Sequence, residues 1–120
     1  MFKLTKIEGG RINVYEPQIY TVGNEAVVSG EALILDADGL LSQCPSTTKP
    51  TFIALAAAAA GANCPVGRVE SNQIYEVEAP GALVVGTKYT INSDASGITA
   101  SEGGAAEVVY ADDNIALVRF

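Results

Sequence analysis

The chain has 120 residues, of which 48% are hydrophobic and 18% are charged, and its formal net charge is -7. This length fits one domain that buries about two-thirds of its unfolded surface, and the composition excludes a disordered chain. The acidic balance, with seven scattered Lys and Arg, argues against nucleic acid binding, and the absence of His removes the commonest general base and transition-metal ligand.

No targeting or membrane segment is predicted. The first six residues have no apolar core long enough for a secretory signal. The most apolar window, residues 51–62, is far shorter than the roughly 20 residues of a membrane-spanning helix. We therefore expect a soluble protein that is made in a cytosol and has no membrane partner.

Residues 1–25 are the least domain-like part of the chain and are predicted to form an N-terminal arm or the first strands, before a β-barrel-like domain over residues 26–120. The segment holds three of the seven basic residues and a rigid Pro. N-terminal segments are often loose unless something ties them down, and a neighbouring subunit could do so. Tyr side chains suit such interfaces. The candidate contact residues are Lys6, Arg11, Tyr15, Pro17 and Tyr20.

Alternation of apolar and polar residues dominates the rest of the chain. In residues 87–92, Tyr89 and Ile91 alternate with polar side chains, and residues 73–79 repeat the pattern. A period of two is that of a half-buried strand. Further strands are predicted at residues 11–15, 19–22, 31–35, 51–55, 107–110 and 115–120. Many short strands between turns predict an all-β fold, a small single-domain barrel or sandwich of antiparallel strands.

Three turns carry Asp and Gly or Asn, at residues 36–39, 94–97 and 112–114. In the first two, the leading Asp can accept a hydrogen bond from the backbone two residues on, and Gly can supply the positive φ that closes a hairpin. Residues 36–39 also resemble the opening of a calcium loop, but its fifth, ninth and twelfth positions would be Leu40, Cys44 and Thr47. We therefore predict neither a metal nor a cofactor.

The Ala-rich run at residues 54–60 has high helix propensity. Pro50 precedes it and Gly61 follows it, which leaves room for about two and a half turns at most. We predict a strand from Thr51 to about Leu55, followed by an Ala-rich loop or a single helical turn.

Cys44 and Cys64 both precede Pro. They could form a disulfide that closes a loop of about 20 residues, or remain two small buried thiols, as a cytosolic origin favours. A nucleophilic Cys would lack its usual His base. Glu76 and Glu78 lie two residues apart on the solvent side of a predicted strand, which favours solvation or partner contacts over a catalytic pair. No enzymatic activity is predicted.

The order of segments resembles that of small capsid decoration (cement) proteins of tailed bacteriophages and prophages. The opening Phe2 to Arg11 with Glu16-Pro17 is similar to their N-terminal arm, and residues 30–35 with Asp38-Gly39 are similar to their first hairpin. The later segments that carry the resemblance are residues 49–55, 66–69, 73–77, 86–91, 107–109 and 118–120.

The resemblance implies a structural virion protein on the capsid exterior. It would bind the assembled head, commonly as a trimer, and bridge major capsid protein subunits against internal DNA pressure. The candidate arm residues would then contact the capsid or a second subunit. The alternative is a small β-barrel binding module of a phage tail or cell surface, with a carbohydrate or protein ligand, although Trp, the favourite sugar-stacking residue, is absent.

Overall fold

The computed structural model describes residues 1–7 and 17–120. In these residues all regular structure is β, and no helix is present that could span a membrane. The strands are β1 (Lys3–Ile7), β2 (Gln18–Thr21), β3 (Ala32–Leu35), β4 (Leu41–Gln43), β5 (Phe52–Ala54), β6 (Asn63–Arg68), β7 (Gln73–Glu78), β8 (Lys88–Ile91), β9 (Ile98–Glu102), β10 (Ala106–Ala111) and β11 (Ile115–Arg119).

The strands form two sheets in one compact domain. The six-stranded sheet has the order β1-β7-β11-β10-β8-β9, and the five-stranded sheet has the order β2-β6-β5-β3-β4. All strand pairs are antiparallel. The predicted all-β fold is confirmed. Of the two architectures expected, the chain adopts the sandwich, because neither sheet closes into a barrel. A single bridge between Val22 and Leu41 links the ends of β2 and β4.

Two apolar cores hold the sandwich together. The larger core joins the sheets, with Tyr75 and Val77 of β7 facing Ala32 and Ile53 of the other sheet. The smaller core lies on the other face of the five-stranded sheet and includes Val22, Leu33, Leu41, Phe52 and Val66. The middle of the five-stranded sheet, at β5 and the start of β3, is therefore buried on both faces, which explains why these strands alternate less clearly than β7 and β8.

The predicted strands are confirmed at β2, β3, β5, β7, β8, β10 and β11, whereas residues 11–15 lie outside the described residues. The Ala-rich run follows β5 as a loop without a helical turn. It is held by reciprocal hydrogen bonds between Ala58 and Val27 of 2.9 and 3.0 Å. These bonds satisfy backbone groups that a short helix would have left unpaired.

The leading Asp side chains accept backbone hydrogen bonds in the turns as predicted, but the residue with positive φ differs in one of them. Asp36 Oδ1 accepts a hydrogen bond from the backbone N of Asp38 at 2.8 Å, and Gly39 has a φ of 78°. In the second hairpin the prediction that Gly97 supplies the positive φ is wrong, because Ala95 does so with a φ of 58°. Ala95 is fully buried and its carbonyl accepts from Ala32 N at 2.8 Å, so packing against β3 fixes this conformation.

The described parts of the first 25 residues belong to the sandwich. β1 is an edge strand of the six-stranded sheet, and β2 is an edge strand of the five-stranded sheet. Phe2 is only 3% exposed, and its ring packs against Phe120 with the centroids 5.5 Å apart. The sequence predicted either an N-terminal arm or the first strands for this segment. Residues 3–7 and 18–21 form the first strands.

Candidate interaction surface

An apolar cleft of about 340 Å³ opens where β1 meets the five-stranded sheet. β1 forms one wall, and β5 forms the other together with the turn at residues 29–30, which precedes β3. The lining residues are Met1, Phe2, Lys3, Leu4, Ser29, Gly30, Ile53, Ala54, Leu55 and Tyr75.

Gly30 builds the junction that forms this cleft. Its carbonyl accepts a hydrogen bond from Phe2 N at 2.9 Å, and its own N donates to the Ala54 carbonyl at 2.8 Å. Gly30 has a φ of +90°, and a Cβ at this position would lie 2.7 Å from the Cβ of Met1. Only Gly combines that backbone conformation with so close an approach.

The apolar surface continues outward from Leu55 to the edge strand β2. Leu55 N donates to the Pro65 carbonyl at 2.9 Å, and Pro65 lies opposite Ile19 in the β2–β6 register. Opposed residues share a face of the sheet, so these three form one apolar row. Ile19 is 68% exposed.

Exposed apolar side chains are concentrated at this cleft. The described residues contain seven large exposed hydrophobic side chains. Of these seven, Met1 and Leu55 line the cleft. Ile19 extends its apolar surface, and Val28 precedes the lining residue Ser29 in the chain. Clustering of this kind makes the cleft a candidate interaction surface, whereas single exposed hydrophobic residues are ordinary.

Two lysines lie on β1, the strand that forms one wall of the cleft. Lys3 lines the cleft, and Lys6 lies further along the same strand; both are exposed. The chain as a whole carries 14 acidic residues against seven basic ones. Lys3 lies opposite Glu76 in the β1–β7 register, so an acidic side chain accompanies it on the same face of the sheet.

A second exposed apolar feature is the valine tip, Val84 and Val85, at 63% and 60% exposure. The turn that carries it is well anchored. Val84 N donates to the Tyr89 hydroxyl at 2.9 Å, and Gly86 N donates to the Val108 carbonyl at 2.8 Å. Two valines are thus held in solvent by a firmly bonded turn.

The predicted contact residues occupy different environments. Lys6 is exposed on β1, and Pro17 is exposed just before β2. Tyr20 is partly buried, and its ring packs against Phe52 with the centroids 4.9 Å apart. Arg11 and Tyr15 lie outside the described residues. Lys6 and Tyr20 belong to strands of different sheets.

Sequence reasoning missed Ile19, Leu55, Val84 and Val85 as surface residues. Each lies within or beside an apolar run, which in a sequence is indistinguishable from a core strand. The partial signal was the Gly on both sides of residues 82–85, which is typical of an exposed turn.

Among residues 1–7 and 17–120, no three His, Cys, Asp or Glu side chains are grouped to hold a metal ion. Glu31 is 6% exposed, and its Oε2 atom has no hydrogen-bond partner. Burial raises the pKa of Glu31, and the charges of Asp94 and Glu25 add to this, against a hydrogen bond with Gln43.

Both cysteines are free and buried, which decides between the two alternatives for the pair. Cys44 Sγ donates to the Thr48 carbonyl at 3.1 Å, and burial raises the pKa of its thiol to about 11. Burial also raises the pKa of Cys64, whose Sγ donates to the Ala56 carbonyl at 3.4 Å. Both thiols are protonated near neutral pH and hold loop carbonyls.

Comparison with known proteins adds no relative: no protein-family model matches the chain, and no curated protein matches it.

Proposed function

We propose that this chain is a structural virion protein that binds the outer surface of an assembled phage capsid. It bridges major capsid protein subunits there and stabilises the head, and it acts by binding, without catalysis. Its partners are the major capsid protein and further copies of itself, in a trimer.

The observation that supports this proposal best is the apolar cleft, which Lys3 also lines. A contiguous apolar surface of this kind on a small domain is typical of a protein contact. The resemblance to capsid decoration proteins supplies the class of partner. Together they favour a protein that attaches to a large protein surface.

The stabilisation would follow from mass action. A protein that binds the closed shell and not its separated subunits raises the free energy needed to open the shell. Several equivalent weak contacts per assembly give high avidity, so no single contact has to be strong.

Sedimentation with purified heads tests this function. The test uses purified heads of a tailed phage, assembled from its major capsid protein, in expanded and unexpanded forms. We expect the chain to pellet with expanded heads and to saturate at a fixed number of copies per head. Unexpanded heads are the matched control. A chain that stays in the supernatant with both forms contradicts the proposal.

A further inference from the structure

We propose that a polar groove along β4 binds the guanidinium group of an arginine side chain that a partner protein presents on an extended segment. This inference goes beyond the proposed function and does not depend on it. The groove has a volume of about 370 Å³ and lies between β4, the loop after β2 and the loop after β8. We call it the acidic groove.

Carboxylates, amides and hydroxyls form most of the wall of the acidic groove. The lining residues include Glu25, Asp36, Ser42, Gln43, Ser46 and Asn92. None of the described residues that line it is Lys or Arg. Lys49 and Lys88, the basic residues nearest to the lining along the chain, are exposed and lie outside it. The groove therefore suits a ligand that carries positive charge and several hydrogen-bond donors.

A buried carboxylate adds negative charge from behind the wall of the groove. Glu31 is only 6% exposed, and its Oε2 atom has no hydrogen-bond partner in the described part of the chain. Its carboxylate forms a hydrogen bond with the side chain of Gln43, and the charges of Asp94 and Glu25 act on it. Because Gln43 and Glu25 both line the groove, the carboxylate is directed towards the groove from the inside. A cation in the groove would offset part of the cost of burying this group.

The backbone of β4 offers the groove a free strand edge. β4 is an edge strand, and Cys44 N donates to the Ala32 carbonyl at 2.9 Å. Successive residues of an antiparallel strand direct their backbone groups to opposite sides, so those of Leu41 and Gln43 point away from β3. The Leu41 carbonyl accepts from Gly23 N at 3.0 Å, which closes the edge at that residue. The edge opens at Gln43, where an extended main chain could pair with it.

An arginine side chain matches this arrangement better than a metal ion does. A calcium ion needs about six to eight oxygen ligands that converge at about 2.3–2.6 Å. In residues 1–7 and 17–120, no three His, Cys, Asp or Glu side chains are grouped in a way that could hold a metal ion. A guanidinium group carries five donors in one plane and can bond to acceptors that are spread apart. The open edge at Gln43 favours a guanidinium that arrives on a peptide.

An NMR titration of the isotope-labelled full chain near neutral pH tests this inference. The probe is N-acetyl-arginine N-methylamide, which has a guanidinium group and a peptide group on each side of the residue. We expect saturable shifts of the amide signals of Glu25, Gln43 and Asn92. The matched control probe contains citrulline, whose neutral urea group has nearly the same shape as guanidinium. It should bind about 10-fold more weakly or worse, because its hydrogen bonds lack the charge.

A second measurement removes the charges that line the groove. The variant Glu25→Gln/Asp36→Asn should bind the arginine probe about 5-fold more weakly or worse, since two exposed ion pairs are lost. The change at position 36 keeps an oxygen that can accept from Asp38 N and Leu40 N, so the turn should hold. Glu102→Gln removes an exposed carboxylate on β9, outside the groove, and should leave binding unchanged. If the double variant does not fold by circular dichroism, Glu25→Gln alone replaces it.

A third measurement tests the buried carboxylate. Glu31→Gln removes the charge and keeps the shape of the side chain, so it should weaken binding of the arginine probe by about 3-fold without loss of the fold. A purely structural role of Glu31 would leave the affinity for the probe unchanged.

The inference is overturned if the arginine probe causes no saturable shifts at the groove, or if the citrulline probe binds equally well. It is also overturned if Glu102→Gln weakens binding as much as Glu25→Gln/Asp36→Asn does, because the attraction would then be to the acidic protein in general. Methylguanidinium, which has the charge and no peptide groups, should bind about 3-fold more weakly than the capped arginine. Equal binding would overturn the assignment to a protein segment and make a free guanidinium compound the ligand. All of these results are independent of head binding.

Discussion

The carboxylate of Glu31 is buried immediately before β3, with Oε2 lacking a hydrogen-bond partner in the described part of the chain. Because burial raises its pKa, the folded chain binds this proton more tightly than the unfolded chain does. The tighter proton binding stabilises the folded chain. This stabilisation is complete below the ordinary pKa of 4.5 and is lost as the pH rises through the folded pKa of Glu31.

Replacing Glu31 with Gln should stabilise the protein at neutral pH. The amide keeps the shape of the side chain and carries no charge, so Glu31→Gln should raise the free energy of unfolding at pH 7 by about 1 kcal/mol. The gain should shrink towards pH 4, where Glu31 is itself protonated. Urea unfolding from pH 4 to 8 measures this, with the exposed Glu78→Gln as the control. A gain that is constant with pH would contradict this account of Glu31.

Gly30 offers a test of the close approach that forms the cleft. Gly30 and Gly61 both have positive φ, +90° and +80°, but only a Cβ at Gly30 would meet other atoms within 4 Å. Gly61→Ala should cost about 1 kcal/mol from backbone strain alone. Gly30→Ala should cost about 1 to 3 kcal/mol more, because Met1 and Phe2 must move.

Thermal or denaturant unfolding of the two Gly variants separates these effects, since the control carries the strain without the collision. Equal losses of stability would mean that β1 does not pack against residue 30 as described.

At the scale of elements, β1 is bound to the sandwich by more than its pairing with β7. Phe2 and Tyr75 both pack against Phe120, the last residue of the chain, with ring centroids 5.5 and 5.9 Å apart. The two ends of the chain therefore meet in one aromatic cluster beside the cleft.

Phe2→Ala should lower the free energy of unfolding by about 3 kcal/mol, the cost of emptying a buried aromatic site. Lys6→Ala, on the exposed side of the same strand, should change it by less than about 0.5 kcal/mol. Chemical denaturation of both variants compares them directly. A small loss for Phe2→Ala would mean that the N-terminus is an arm detached from the domain.

The local alternation of apolar and polar residues was sufficient to predict the strands that have a clear inner and outer face. It was insufficient to predict the other strands. Tyr75 and Val77 alternate with acidic residues, so β7 was predictable from its sequence. β6 contains Pro65 and Gly67, which are typical of loops, and β4 has only three residues. β1 is stabilised by partners about 70 residues away, and a local window carries no information on such pairing.

At the scale of the whole molecule, the cleft was not predictable at all. Its walls come from residues 1–4, 29–30 and 53–55, which only the meeting of the two sheets brings together. The sequence singled out Lys6 as a candidate contact residue, which stays a prediction, and the structure places it on β1, the strand that bounds the cleft. Which residues are exposed and apolar depends on where each sheet ends, and composition does not contain that information.

The whole molecule is a small sandwich of 38 × 32 × 23 Å with a net charge of -7 and an apolar cleft beside two lysines. In the proposed role it occupies the outside of a shell. Each bound copy then adds to the free energy that separates the closed head from the open one.

The most direct test is the temperature at which purified expanded heads lacking this protein rupture, measured with and without the added full-length chain. The account predicts that the rupture temperature rises with protein concentration and levels off when binding saturates. An unchanged rupture temperature at concentrations where the chain is bound to the heads would contradict it.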